Sequence, residues 1–255
     1  MHTHPHEHPN EHATSVPPAY QEAITSPRKD LTTLGACWRE FLRHFSGWAA
    51  GIAMLVALVA RLAVGNFTIY DLMVPFVILA IQPFVEWFIH VYLLHLKPFS
   101  FRGQQVDLYT AKAHRRHHKA PAELDRVLLH PSEILGSIFL IAVSALAVVA
   151  VPIAIFGGEL IPPWLTALVF SYAGLLRYEW SHFLIHTPYI PKTRFFRSIW
   201  RSHRLHHFKH EGYWMGVSSN IGDRLLGTFP DQSTIKKSAT ARTLGVETKG
   251  YDAQS

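Results

Sequence analysis

One stretch constrains how the rest of the chain can fold: Arg201-Ser202-His203-Arg204-Leu205-His206-His207-Phe208-Lys209-His210. Its centre is a His-x-x-His-His motif, formed by His203, His206 and His207. On an α-helix, residues three and four positions apart return to the same side. We therefore expect this motif to point three imidazoles into one pocket.

Three further histidine clusters precede this stretch. They are a second His-x-x-His-His motif at 114–118 and two spaced pairs, His90-x4-His95 and His182-x3-His186. All four clusters lie on or beside apolar segments, which favours one polynuclear metal site. The ten clustered histidines are His90, His95, His114, His117, His118, His182, His186, His203, His206 and His207.

The apolar residues are concentrated in the middle of the 255-residue chain. Hydrophobic residues make up 49% of it, but the first 45 and last 50 residues are mostly polar. The formal net charge of +6 suits either nucleic acid or an anionic membrane surface. Long apolar runs and the lack of a nucleic-acid-binding motif favour the membrane, and we expect no nucleic-acid partner. The single Cys37 excludes an internal disulfide framework and a cysteine-based metal site.

Four apolar segments are predicted to cross a membrane as helices. The second would be about 37 Å long at 1.5 Å per residue, which exceeds the roughly 30 Å hydrocarbon core. Its last turns, with His90 and His95, should therefore emerge from the bilayer. The predicted segments are about 47–64, 72–96, 134–156 and 164–180.

Lysine and arginine predict the orientation of these helices. Basic residues lie before the first segment, between 97 and 133, and after 190, whereas the connections 65–71 and 157–163 contain none. By the positive-inside rule, both termini and the metal site should be cytoplasmic. Arg61, near the end of the first segment, is expected to reach the headgroup region.

The predicted fold is therefore all-α and integral to the membrane. Four transmembrane helices would support a cytosolic helical cap that holds a dimetal histidine site. Residues 1–30 are predicted to be a disordered, histidine-rich tail. Residues 31–230 would form the membrane domain, and residues 231–255 a flexible tail.

Ten imidazoles exceed what one metal ion can use, but two ions with four or five nitrogens each would use them all. His90 and His95 differ by about 140° around an α-helix, so we expect them to reach different ions. His182 and His186 share a face and would serve one ion or bridge the two. Binding strength favours zinc or copper. An all-histidine pair beside a bilayer suits iron and dioxygen chemistry better.

The order and spacing of the four clusters resemble those of the fatty acid hydroxylase and sterol desaturase superfamily of membrane diiron oxygenases. The similarity covers about residues 75–230 and leans towards the fatty acid 2-hydroxylase branch. The stretches that carry this leaning are His117-His118-Lys119-Ala120-Pro121, His206-His207-Phe208, Gly216-Val217-Ser218-Ser219 and Leu226-Gly227-Thr228-Phe229.

The resemblance implies a dioxygen-dependent oxidoreductase that hydroxylates a fatty acyl chain in lipid biosynthesis. The ten histidines would ligate two iron ions, which zinc can replace. Relatives of this type often carry a fused b-type cytochrome domain. This chain is expected to take its two electrons from a separate donor, either such a cytochrome or a ferredoxin with its reductase.

Three carboxylates are candidates to orient the metal-binding histidines, because such histidines usually donate their second N–H to a neighbouring acceptor. They are Glu86, Glu179 and Asp223. His130 and His210 are expected to lie near the site or on the surface and not to ligate.

Four arginines interleave with the two His-x-x-His-His motifs: Arg115, Arg116, Arg201 and Arg204. They would either dock an acidic electron donor or a lipid headgroup, or reflect only the topology.

Other functions stay open on the sequence alone. The same site could oxidise a sterol or carotenoid, or desaturate a lipid. A membrane zinc hydrolase is an alternative from a different class. A metal transporter or storage protein is less favoured, because transport needs ligands near the bilayer midplane.

Overall fold

The computed structural model describes residues 25–246, so most of the predicted N-terminal tail lies outside the described residues. The described chain is mostly helical, as predicted. The α-helices are α1 Leu34–Phe41, α2 Phe45–Val64, α3 Ile69–Phe88, α4 Tyr109–Lys119, α5 Pro131–Phe156, α6 Ile161–Ile185, α7 Arg194–Phe208 and α8 Ile221–Leu225. A π-helical turn, Ile89–Leu94, continues α3, and short 3-10 turns lie at Leu124–Arg126 and Gln232–Thr234.

Three of the four predicted segments are helices long and apolar enough to cross a membrane. Within residues 25–246 these are α2, α3 with its π-turn, and α5 with the 3-10 turn before it. Their large apolar side chains point outward, as Val56, Phe76 and Phe139 do, each more than three-fifths exposed. A helix that exposes apolar side chains in this way fits a lipid environment. The chain is therefore an integral membrane protein.

The fourth predicted segment forms the centre of the bundle. Helix α6 packs against α2, α3 and α5. It begins with Pro162 and Pro163 in its first turn. Proline is tolerated there because the backbone N–H groups of a first turn have no partner within the helix. Its neighbours shield much of its surface, so it carries polar residues such as Thr166 and Glu179 in buried positions. It also extends to Ile185, which places His182 inside the helix.

Arg61 is buried and paired within the helix bundle. Its side chain is 3% exposed and lies 2.9 Å from the Asp71 carboxylate at the start of α3. It also donates to the Thr166 hydroxyl of α6 at 2.9 Å and to the Gly65 carbonyl. Asp71 and Thr166 lie on other helices, and a buried charge is held where it is paired. The expected position of Arg61 in the headgroup region stays a prediction.

The histidine-bearing elements form a cap at the other end of the bundle. The 19 residues from Asp71 to His90 correspond to about 28 Å of helix, which separates the Arg61 pair from the cap. The cap contains α4, α7 and α8, and one hairpin of β1 (Phe99–Phe101) and β2 (Gln104–Val106). Arg102 and Gly103 both have positive φ (51° and 77°), as a tight two-residue hairpin turn requires.

The segment after residue 230 is part of the cap as far as it is described. Ala241 and Leu244 are each 3% exposed, and the Ser238 amide donates to the Lys209 carbonyl at 2.7 Å. Residues 231–246 therefore pack against the domain, where a flexible tail was expected. Residues 247–255 lie outside the described residues.

Candidate metal centre

The structure brings the ten clustered histidines together as two adjacent groups of five. The first group contains His90, His95, His114, His118 and His206, and the second contains His117, His182, His186, His203 and His207. Within each group, one ring nitrogen per residue lies within 4.8 Å of all the others. Nine of the ten side chains are buried, and His95 is partly so. The groups meet where the rings of His118 and His207 lie 4.1 Å apart between centroids.

Each His-x-x-His-His motif is divided between the groups. In α4, His114 and His118 belong to the first group and His117 to the second; in α7, His203 and His207 belong to the second and His206 to the first. Adjacent helical residues differ by about 100°, so neighbouring histidines point to opposite sides of the boundary. The expectation of one pocket per motif was therefore wrong. Helix α4 contributes two histidines to the first group and one to the second, and α7 contributes one and two, so each group receives three histidines from the motifs.

His90 and His95 lie in the same group, contrary to the expectation that they would reach different ions. The reason is the π-helical turn Ile89–Leu94, in which the His95 amide donates to the His90 carbonyl at 3.2 Å. A π-turn closes with an i to i+5 hydrogen bond, so residues five apart return to nearly the same side. The α-helical 140° does not apply there. His182 and His186, at the end of α6, both belong to the second group.

The spacing of the ring nitrogens fits metal coordination. Two nitrogens that each lie about 2.1 Å from one ion, at angles of roughly 90–110°, are about 3.0–3.4 Å apart. In the first group, the His114 Nε2 atom lies 3.2 Å from the Nε2 atoms of both His90 and His118. In the second group, the corresponding His203–His207 separation is 3.0 Å. Each group can therefore hold one ion with little rearrangement.

Backbone carbonyls select the tautomer of several of these histidines. Nδ1 of His118 lies 2.9 Å from the Ala241 oxygen, and Nδ1 of His206 lies 2.8 Å from the Tyr213 oxygen. Nδ1 of His90 contacts the Met215 oxygen in the same way. Because a carbonyl can only accept, Nδ1 must carry the proton, which leaves the Nε2 lone pair free to face an ion.

Burial keeps these imidazoles neutral. It lowers the pKa of His118 to about 3 and holds the pKa values of His203, His206 and His207 well below their usual range. The neighbouring imidazoles lower them further, because two adjacent imidazolium charges would repel. The neutral form is the one that binds a metal ion.

Two of the three candidate carboxylates hold a loop that carries one of these carbonyls. Glu86 accepts hydrogen bonds from the Val217 amide and from both the amide and the hydroxyl of Ser218. Asp223 accepts from the amides of Met215 and Gly216 at 2.8 and 2.7 Å. They act through the backbone of residues 215–218, which places the Met215 carbonyl against His90. Glu179 accepts from the Leu129 amide at 3.1 Å.

The loop also depends on close backbone packing. Gly222, in α8, sits so close to α3 that a β-carbon there would lie 2.6 Å from the Pro83 carbonyl oxygen. Only glycine allows this approach without displacement of one element. Helix α8, and with it Asp223, is thereby held against the end of α3.

Two of the four interleaved arginines are structural. Arg115 is 2% exposed and bonds to the Leu96 carbonyl and Asp107. Arg204 is 1% exposed, donates to the Ile185 and Thr187 carbonyls, and stacks 3.8 Å above the Trp200 ring. Neither docking nor topology accounts for these two buried side chains. Arg116 and Arg201 are partly exposed.

His130 and His210 lie outside both groups. His130 caps the start of α5, where its Nδ1 atom accepts from the Ser132 amide. His210 packs its ring on Tyr213 and accepts from the Gly212 amide. Within the described residues, neither belongs to the two groups of five histidines.

Comparison with known proteins places this site in a family. The fatty acid hydroxylase family model matches residues 75–228, a range that contains all ten clustered histidines. The chain belongs to the fatty acid hydroxylase family. A fatty acid 2-hydroxylase from Homo sapiens is 26% identical over 155 residues, which cover 60% of this chain and 38% of that protein. This chain therefore aligns with well under half the length of that relative.

A plant relative is matched over more of its length. A dihydroceramide fatty acyl 2-hydroxylase from Arabidopsis thaliana is 26% identical over 209 residues, which cover 78% of this chain and 80% of that protein. No solved structure matches the chain.

Proposed function

We propose that this chain is a membrane lipid monooxygenase that hydroxylates a fatty acyl chain with dioxygen at a pair of iron ions. The observation that carries the proposal is the pair of five-histidine groups, whose nitrogens are spaced for metal ligation. Family membership and the names of the relatives support the lipid substrate and point to carbon 2 of the acyl chain.

The proposed reaction balances with two external electrons. One C–H bond of the acyl chain becomes C–OH, and the second oxygen atom leaves as water with two electrons and two protons. When bound, the iron pair supplies the activation of dioxygen. A separate donor, either a b-type cytochrome or a ferredoxin with its reductase, would supply the electrons.

The contributions of the chain itself are binding, orientation and exclusion of water. The ten neutral imidazoles would hold the ions without adding negative charge. The carbonyls of Tyr213, Met215 and Ala241 fix the ring orientations. Burial of the groups keeps bulk water from the reacting atoms. Because α3 and α6 both end at the site, an acyl chain from the bilayer has a short path to it.

The membrane topology is part of the proposal. We infer that α6 is a fourth span and that both termini and the metal site face the cytosol, as the distribution of lysine and arginine favours. Single cysteines at Asn66 and Lys236, in a Cys37→Ser background, would test this with a membrane-impermeant thiol reagent. The two positions should be labelled from opposite sides of the membrane, and labelling from the same side would contradict this topology.

Isotope incorporation tests the chemistry. The protein is purified anaerobically in detergent, loaded with iron(II), and given reductant and ¹⁸O₂ with a long-chain lipid extract. We expect a hydroxylated acyl lipid that carries the isotope, and its loss in His118→Ala but not in His210→Ala, a matched histidine outside both groups. A new double bond without label would indicate a desaturase instead. Turnover that is unchanged without dioxygen and iron would refute the oxygenase and favour a zinc hydrolase.

A further inference from the structure

A short segment on the C-terminal side of the family match contacts one of the clustered histidines. Residues 238–246, here called the C-terminal strap, lie outside the matched range 75–228. The strap runs between the ends of α4 and α7, the two helices that carry the His-x-x-His-His motifs. Ala241 and Leu244 are its buried apolar residues.

Three hydrogen bonds anchor the start of the strap beside α7. The Ser238 amide donates to the Lys209 carbonyl at 2.7 Å. The Ser238 hydroxyl donates to the Glu211 carboxylate at 3.1 Å, and the Thr240 hydroxyl donates to the same oxygen. Glu211 is partly buried, which strengthens hydrogen bonds to its charge.

The middle of the strap is attached to α4. Arg242 donates to the Lys119 carbonyl and lies 5.2 Å above the Phe208 ring of α7. The Ala241 carbonyl accepts from Nδ1 of His118 at 2.9 Å. The strap therefore joins the two helices and supplies the acceptor that orients one clustered histidine.

His118 has a central place among the ten histidines. Its Nε2 atom lies 3.2 Å from the Nε2 atoms of both His114 and His206. Its ring is also the one that lies 4.1 Å from His207 of the second group. A rotation of this imidazole would disturb the first group directly.

We propose that the C-terminal strap is a positioning element for the first histidine group, acting through the Ala241 carbonyl on His118. This inference rests on metal binding as part of the proposed function. The hydrogen bond from the strap orients His118, which belongs to the first group. Loss of the strap should therefore weaken one ion selectively.

The test measures the release of zinc from the full-length protein loaded with two equivalents, using a colorimetric chelator. In Glu211→Ala, and in a chain ending at Lys237, release of one ion should accelerate about 10–100-fold, the usual effect of losing a partner of a metal-bound histidine. The second ion should leave at the wild-type rate. Glu211→Gln retains an oxygen for both hydroxyls and should restore slow release. Lys236→Ala, at an exposed neighbouring position, serves as the matched control.

Each outcome decides between explanations. Wild-type release rates for both ions in Glu211→Ala and in the shortened chain would overturn the role of the strap alone. Equal acceleration of both ions would also overturn it, because the strap would then support only the general fold. Failure of the wild-type protein to hold two ions would instead overturn the proposed metal binding itself.

Discussion

Replacement of Glu86 by alanine should damage both stability and the first metal site. The Glu86 carboxylate accepts from the Val217 and Ser218 amides and from the Ser218 hydroxyl, all in a buried setting. Alanine would leave two buried N–H groups without an acceptor, at a cost of about 1–3 kcal/mol each. A total near 3 kcal/mol corresponds to a Tm lower by about 6–12 °C for a domain of this size.

The same substitution should release the carbonyl that orients His90. Residues 217 and 218 would lose their anchor, and Asp223 alone would hold the Met215 and Gly216 amides. The Met215 oxygen would therefore be held less firmly against Nδ1 of His90. We expect the first ion to bind about 10-fold or more weakly. Thermal unfolding in detergent measures the first effect and metal titration the second.

Glu86→Gln is the matched control, because its amide oxygen can still accept from both backbone N–H groups. Glu86→Gln should lower the free energy of unfolding by only about 1 kcal/mol, the part that the negative charge adds to these hydrogen bonds. If Glu86→Ala unfolds within about 2 °C of the wild-type protein and holds both ions with unchanged affinity, the role assigned to this carboxylate is refuted.

Three further perturbations test other parts of the structure. Asp71→Ala should lower the free energy of unfolding by about 3–5 kcal/mol, because Arg61 would be buried without a counter-charge, and an added Arg61→Leu should restore most of it. Thermal unfolding of the single and double variants measures this. An Asp71→Ala variant as stable as the wild-type protein would contradict it. Gly222→Ala should destabilise the protein by about 1–3 kcal/mol, because the added carbon would displace α8. Gly136→Ala is the control: it lies in α5, no atom lies near the added carbon, and the change should be neutral or slightly stabilising. Equal melting temperatures of the two variants would count against the close approach of α8 to α3. The metal-free protein should lose stability as the pH falls below about 6.5. Histidines of the unfolded chain then bind protons, whereas the buried histidines of the folded chain stay neutral. Each such histidine lowers the free energy of unfolding by up to about 1.4 kcal/mol per pH unit. This loss continues towards the folded pKa, about 3 for His118, so a melting temperature that does not change between about pH 7.5 and 5.5 would be inconsistent with neutral burial.

Much of the architecture could be predicted because it depends on local patterns. Apolar runs identify membrane-spanning helices, so the first three predicted segments correspond within a few residues to α2, to α3 with its π-turn, and to α5. The spacing of the clustered histidines likewise predicted that they would assemble. Helix α6 was predicted as a helix, but its polar residues are explained only by the neighbours that cover it.

The details that sequence reasoning missed depend on contacts between distant residues. The π-turn at Ile89–Leu94 has no sequence pattern that separates it from an α-helix, and it reversed the expected assignment of His95. The carbonyls of Met215 and Ala241 orient histidines, but every residue has a carbonyl, so nothing in the sequence marks these two. The sequence did not reveal that Arg61 is paired, because its partner, Asp71, belongs to another helix.

Two separate histidine groups are proposed to hold one metal ion each. Iron content after anaerobic loading tests this directly, with pairs of substitutions chosen within and across the groups. The wild-type protein should hold two ions per chain. The pair His90→Ala and His118→Ala leaves three histidines in the first group and should leave one ion bound. The pair His118→Ala and His182→Ala leaves four histidines in each group and should leave both ions bound. Equal iron content in the two double variants, or a single ion in the wild-type protein, would contradict this assignment.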